Sequence, residues 1–426
     1  MKNIKLLNLV ETMILFFCIL LFFANGNILT RYLSLFQYAI LILSVVHCLL
    51  KGRITTNYIF FMWVIIILYF GLGLVYSYDT KATLTMLKLY VMLLPILICE
   101  FDRKKIDKFF KILEIVIIIG AISIIASVFI ENMIQNYFKF FITTDSERTL
   151  SELIQNSYSG LFSEKGNAAF MLDIGIGIII AKYLSNKKMN VNIFVELLLF
   201  VIALILTNKR ALLVFPIIIF GIIYMFFKDK NKILKILKIV FIGIVALVIL
   251  LKVFPVMGSV FDRFINDDDN HRSELKEICL LMHENNSIVG MGLNSYNTYA
   301  YNIGFRLPIA GTKNGVWTYH AHNIYYQLLA ECGYIGITLI IFTFCYSIYR
   351  TIKLLRECDN TNDRKCHIVL SLYIQLLFVL YGATGNTFYY YQQILIYFIA
   401  LAIAIREINF QRKKISGVDF LGEECD

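Results

Sequence analysis

Four prolines among 426 residues, two tryptophans and a charged fraction of 16% are what this chain has least of. So few prolines, with no Ser/Pro, Gln/Asn or Gly/Ser tract, exclude low-complexity linkers and any disordered tail longer than about the last dozen residues. Scarce charge beside a hydrophobic share of 59% and a mean hydropathy of +0.71 excludes a soluble globule. Of the nine cysteines, only Cys279 clearly falls in an outer loop, so no external disulfide framework is expected and reduced, apolar thiols suffice.

What remains is apolar sequence, roughly 250 residues of it, enough for about twelve bilayer spans of ~20 residues each. The runs predict an all-α polytopic membrane protein forming one membrane domain over 1–426. Its spans fall near 6–24, 32–50, 58–76, 83–99, 110–130, 166–184, 191–207, 211–227, 236–254, 322–348, 367–386 and 388–406. Residues 1–130 read as a helical scaffold, and residues 131–165 and 255–321 as two long outer loops. Lys2 and Lys5 precede the first run as in a signal peptide, but no small-residue cleavage site follows Ala24, so a retained first span is expected. No internal repeat stands out.

A formal charge of +10 would suggest nucleic acid in a soluble domain. Here the positive-inside rule accounts for it. With the N-terminus inside, Lys51 and Arg53, the Arg103–Lys108 cluster, Lys187 and Lys188, Lys228 to Lys232, Arg350 to Arg356 and Arg412 to Lys414 share one side. Both termini are then cytoplasmic, and no nucleic-acid partner is expected.

Lys209 and Arg210, in LTNKRALLVFP, break the pattern by falling on the outer face. An arginine held near the membrane on that side faces either protein or a water-filled cavity. Two readings stand: a snorkelling pair at a tight hairpin, or an anion-binding group. In the larger outer loop, Asp267 to Asn270 precede HRSELKEICLLMHENN, whose Leu275, Ile278, Cys279 and Met282 recur at helical spacing. An amphipathic helix on the outer bilayer surface is predicted, ending before the turn signal Gly290-Met291-Gly292. Arg272 falls in its first turn, where it either pairs with Asp267 to Asp269 or attracts an anion. Next, TYHAHNIYYQLLAECGYIG carries His320 and His322 into a span from outside, with Glu331 a few turns deeper. His-x-His is a weak metal signal without a third ligand, and a neutral imidazole at a wet boundary can also take a proton from a hydroxyl. Phe388 to Tyr391 read as an interfacial aromatic belt. Lys88, Asp173 and Glu196 fall within or near spans, which keeps a flippase or exporter of lipid-linked glycan as the alternative from another class.

Three blocks resemble the family of bacterial membrane glycosyltransferases that contains O-antigen ligases and Wzy-type polysaccharide polymerases. LTNKRALLVFP resembles its outer-face arginine segment through Arg210. HRSELKEICLLMHENNSIVGMGLNSY resembles its arginine-plus-helix segment through Arg272, Gly290 and Gly292. HAHNIYYQLLAECGYIG resembles its His-Asn start and Glu-x-Gly through His322, Asn323, Glu331, Gly333 and Gly336. A weaker block, GLFSEKGNAAFMLDIG, has Gly166 where a proline often stands, which leaves Asn167 without an assigned role.

The resemblance implies a GT-C-like fold in the bacterial inner membrane, acting at the outer face. It implies metal-independent, inverting transfer of a glycan from an undecaprenyl-diphosphate-linked donor to a hydroxyl acceptor, with no cofactor. Arg210, Arg272 and His322 are then the catalytic candidates, with Lys209, His320, Asn323, Glu331, Gly290 and Gly292 binding substrate. The acceptor is another glycan for a polymerase, or a lipid A core or other final carrier for a ligase. The lipid bilayer and other polysaccharide assembly proteins are the remaining partners. The outer loop shows no basic enrichment to meet a phosphate-rich lipid A core, which favours the polymerase.

Overall fold

The structure is a computed structural model that describes residues 2–51, 57–130, 136–138, 140–142, 157–162, 164–186, 190–227, 271–305, 307–308, 316–317, 320–358 and 362–415. The expected span at 236–254, most of the first outer loop and Asp267 to Asp269 lie outside the described residues. The expected all-α polytopic architecture is what is found. In chain order the helices are α1 (Lys2–Phe23), α2 (Leu33–Lys51), α3 (Tyr58–Gly73), α4 (Thr80–Leu93), α5 (Arg103–Phe129), α6 (Lys165–Asn186), α7 (Val191–Leu206), α8 (Arg210–Met225), α9 (Arg272–Asn285), α10 (Tyr296–Asn302), α11 (Ile324–Glu357), α12 (Asn362–Gly382) and α13 (Tyr391–Ile415). One two-residue antiparallel ladder, β1 (Leu307–Pro308) with β2 (Val316–Trp317), lies in the outer loop.

Among the described residues, eight helices are long and apolar enough to cross a bilayer, and α3, α7 and α8 are shorter apolar helices. Polar side chains mark several helix starts: Asn57, Asp79, Asp102 and Asn323 each accept a hydrogen bond from a first-turn amide of the helix that follows. The helices α6, α12 and α13 are buried over most of their length, whereas α1, α2 and α5 expose an apolar face suited to lipid. At the end away from the α6 and α13 N-termini, Glu407 is enclosed by Arg103, Arg364 and Arg406 at 2.9–3.0 Å, which ties α5, α12 and α13 together. Lys88 is exposed on α4, Glu196 half-buried on α7, and Asp173 fully buried on α6.

Two expectations need correction. The runs at 191–207 and 211–227 form helices of 16 residues each, about 24 Å long, joined tip to tip by Thr207 to Lys209; that is short of a ~30 Å hydrocarbon core. The stripe Leu275, Ile278, Cys279 and Met282 of α9 does not face the bilayer. It packs on Tyr296, Ala300, Ala321 and Ala330 as a small outer core, because α10 and the start of α11 offer an apolar partner closer than lipid.

The feature that organises the surroundings of α9 and α10 is a break in α11. Gly333 has φ 62 and ψ −171, a conformation open essentially to glycine alone. In an unbroken helix Tyr334 and Ile335 would donate to Ala330 and Glu331. Instead the amides of Met291 and Gly292 bond the Ala330 and Glu331 carbonyls at 3.2 and 2.8 Å. The Tyr334 and Ile335 amides bond the carbonyls of Ser287 and Ile288 at 3.0 and 3.2 Å. A side chain on Gly333 would collide with the Ile288 carbonyl, and one on Gly290 with the Glu331 carbonyl. Gly333→Ala is therefore expected to destabilise the protein by about 3 kcal/mol or more, from left-handed strain plus overlap. Thermal unfolding in detergent checks this, and a melting point within 1–2 °C of wild type, roughly the scatter expected of a neutral surface change, contradicts it.

Candidate active site

Besides Lys2 on α1 and Arg103 on α5, three described helices start on a basic residue: Lys165 on α6, Arg210 on α8 with Lys209 before it, and Arg272 on α9. A helix N-terminus is already positive, so a cation there is disfavoured unless an anion is to be bound. Between these helix starts and the start of α11 sits His322. Burial pushes its imidazole down to about 3, and the charges of Lys209, Arg272, His320 and Lys165 press in the same direction. The sequence-expected residues His322, Lys209, Arg272 and His320 thus share one neighbourhood, which Lys165 joins. Arg210 heads α8 directly beside Lys209.

Backbone strain marks the same place. Among the described residues, four non-glycine residues have positive φ: Asn208 (58), His271 (62), Asn294 (64) and His322 (52). One is His322 itself, one directly precedes Lys209 and one directly precedes Arg272. Outliers of this kind persist where surrounding structure enforces them, and they cluster at functional sites.

The two histidines face different partners. His320 Nδ1 lies 3.1 Å from the Gln327 side-chain amide, and its ring stacks on Tyr389 with centroids 5.0 Å apart. Burial brings it down to about 4. His322 Nδ1 lies 3.4 Å from Nδ2 of Asn386. No group of three His, Cys, Asp or Glu side chains able to hold a metal occurs among the described residues.

The other expected substrate-binding residues have structural partners. Asn323 caps α11, its side-chain oxygen accepting from the Tyr325 and Tyr326 amides at 3.0 and 3.3 Å. Glu331 is buried with four donors on its carboxylate: the Asn294 and Tyr296 amides at 2.6 and 3.1 Å, Gln327 at 2.9 Å and the Tyr389 hydroxyl at 2.8 Å. Gly290 and Gly292 have φ of 77 and 96 and let the turn approach Glu331 and Ser77. These residues hold the shape in which His320 and His322 are presented.

Sequence reasoning missed Lys165, Tyr381, Asn386 and Tyr389. A Cβ on Gly166 would lie 3.4 Å from the Tyr381 hydroxyl, 3.6 Å from Lys209 Cε and 3.7 Å from Glu164 Oε1, so these three groups surround the first turn of α6. The belt expected at Phe388 to Tyr391 is corrected in part. Phe388 and Tyr389 are buried, Phe388 within the Trp63, Phe70 and Tyr90 cluster and Tyr389 under His320, because the segment folds inward between α12 and α13. The signal available was the run Asn386-Thr387 ahead of the aromatics, since polar residues flanking a buried aromatic run suit a site better than a lipid belt.

The histidines give stability a pH dependence. Both fall below their ordinary value of 6.5, so on acidification the unfolded chain takes up protons before the folded one. Their contribution is complete above about pH 6.5 and is lost as pH falls toward 4 and then 3. The melting point of wild type is expected to fall over that window, and that of His320→Gln to fall less; parallel slopes contradict the assignment.

No curated protein matches this chain. Residues 196–341, roughly a third of it, match the family model Wzy_C, described as O-antigen ligase. That interval takes in the Lys209-Arg210 tip, the helix headed by Arg272, the Gly290–Gly292 turn, His322 and the Gly333 break, while Lys165, Tyr381, Asn386 and Tyr389 lie outside it. Over residues 196–341 the chain is thus similar to the O-antigen ligase family.

Proposed function

We propose that this protein is a polysaccharide polymerase of the bacterial inner membrane. In this reading it transfers a glycan from an undecaprenyl-diphosphate-linked donor to a sugar hydroxyl at the outer face, with inversion and without a metal. The observation that carries this is the meeting of cation-bearing helix N-termini at a neutral histidine. A diphosphate leaving group gains negative charge as the bond from sugar C1 to oxygen breaks, and fixed cations stabilise that state more than the ground state. Arg210 and Arg272 are assigned to the phosphate oxygens, because the planar guanidinium meets them bidentately and stays charged. Lys209 and Lys165 add field as point charges.

His322 takes the acceptor proton. The acceptor oxygen then attacks C1 from the face opposite the diphosphate, and the C1–O electron pair leaves with the phosphate. Burial first, and the surrounding cations with it, make His322 a poor proton acceptor; a bound diphosphate offsets those charges and raises the basicity of His322 when donor is present. Glu331 and His320 act as positioning residues. Helices α1 to α5 serve as scaffold, and both termini are cytoplasmic. The polymerase is favoured over the ligase because acidic residues outnumber basic ones in 255–321, which suits a glycan acceptor better than a phosphate-rich lipid A core.

Arg210→Lys and Arg272→Lys are each expected to keep the fold and lose about 10²-fold or more in turnover, as for removal of one preorganised donor. His322→Ala is expected to lose about 10² to 10⁴-fold. Wild-type rates in any of these variants remove that residue from the mechanism. EDTA is expected to leave turnover unchanged, and inhibition reversed by a divalent ion contradicts the metal-free assignment. The test of the reading itself is the glycan profile of cells lacking the protein. Single repeat units accumulating on the lipid carrier, with long chains absent, support the polymerase; long lipid-linked chains that never reach a final carrier overturn it in favour of the ligase.

A further inference from the structure

We propose that the turn at residues 384–387, together with Asn167 in the first turn of α6, is the subsite for the acceptor sugar and takes its hydroxyl groups beside His322. This rests on the glycosyl-transfer reading above and names the substrate-contacting wall that the cations do not form.

The observation is a group of buried oxygens that lack a donor. Asn167 Oδ1, Thr384 Oγ1, Asn386 Oδ1 and Thr387 Oγ1 have no hydrogen-bond partner among the described residues. Asn167, Asn386 and Thr387 are buried to 5%, 4% and 0% exposure. Buried polar atoms are almost always paired, so several unpaired in one place call for a missing partner. The backbone next to these residues borders one ring, that of Tyr381. A Cβ on Gly385 would lie 2.8 Å from the Tyr381 ring, one on Gly166 3.4 Å from its hydroxyl, and one on Gly382 3.2 Å from Thr387 Oγ1. The first turn of α6 and the 384–387 turn therefore flank Tyr381 from two sides, and Asn386 carries the group to His322.

The chemistry separates this wall from the cationic one. Phosphate oxygens at neutral pH have few protons to give, so they suit Lys165, Lys209, Arg210 and Arg272 and are repelled by unpaired amide and hydroxyl oxygens. Sugar hydroxyls and N-acetyl N–H groups donate, which is what these oxygens lack. The four side chains are themselves neutral, with Lys209 and Glu164 beside the same turn of α6, so the group fits the hydroxyls of a polyhydroxylated sugar. Because His322 accepts the proton of the attacking hydroxyl, the sugar on its Asn386 side is the acceptor.

The test uses the full-length protein in nanodiscs and two probes: the repeat-unit oligosaccharide released from the cells' own polysaccharide, and undecaprenyl diphosphate. Thr387→Val removes one buried hydroxyl at nearly constant volume, Thr387→Ser retains it, and Asn167→Ala tests the other side of the Tyr381 ring. Saturation-transfer NMR is expected to show oligosaccharide binding weakened about tenfold by Thr387→Val and by Asn167→Ala, and kept by Thr387→Ser. Undecaprenyl diphosphate binding stays at the wild-type level in all three. Oligosaccharide binding unchanged in both deleting variants, no binding to wild type, or a parallel loss of both probes overturns the subsite. Wild type that binds the oligosaccharide as described yet transfers nothing from a lipid-linked donor overturns the glycosyl-transfer reading and leaves the subsite standing.

Discussion

The two main-chain hydrogen bonds that α11 gives up at Gly333 free two amides and two carbonyls, all four are bonded by the 287–292 loop, and the surroundings of α9 and α10 hang on that exchange. A broken helix in an apolar setting needs its freed carbonyls and amides satisfied by other protein groups. Met291, Gly292, Ser287 and Ile288 do so, and Tyr69 adds its hydroxyl to the Cys332 carbonyl at 2.7 Å. Beside the break, the Glu331 carboxylate gathers the Asn294 and Tyr296 amides, Gln327 and Tyr389. Gln327 in turn reaches His320, and Tyr389 stacks on that ring. One glycine conformation and one carboxylate thus fix the loop that ends α9, the entry of α11 and the plane of the first histidine.

On that frame the electrostatics are arranged against ordinary helix preference. Cations head α6, α8 and α9, where the macrodipole disfavours them, and left-handed residues precede two of those positions. The same charges hold His322 neutral, so the proposed phosphate binding and proton transfer are coupled: the donor that neutralises the cations also prepares the base. In the proposed acceptor subsite, neutral amides and hydroxyls stand beside these cations, with Lys165 and Asn167 sharing the first turn of α6.

Much of this was legible in the sequence, for reasons that differ by element. Long apolar runs declare membrane helices because the bilayer sets their length, and eleven of the twelve expected spans correspond to described apolar helices. Arg210 was conspicuous because it violates charge placement, and Glu331, Gly333 and the Gly290–Gly292 turn because they form a recognisable motif. What that motif does inside the fold was not legible: Glu331 and both loop glycines looked like substrate contacts, and the structure adds that Glu331 takes the Asn294 and Tyr296 amides, Gln327 and Tyr389, while the glycines let the turn close on it and on Ser77. A linear pattern does not reveal that residues 290 and 333 touch. Tyr381, Asn386 and Lys165 were missed for the same reason, since each gains its meaning from a helix distant in sequence. The apolar stripe of α9 was seen correctly and its partner misjudged, because periodicity tells which face is buried and not against what.

The central claim is that the cationic helix starts around His322 recognise the diphosphate of a lipid-linked donor. Its most direct test is equilibrium binding of undecaprenyl diphosphate and undecaprenyl monophosphate to the purified protein, repeated with Arg272→Gln. At least about tenfold preference for the diphosphate, collapsing in the variant and weakening with salt, is the predicted result. Equal affinity for the two lipids, or a preference untouched by loss of Arg272, would contradict it.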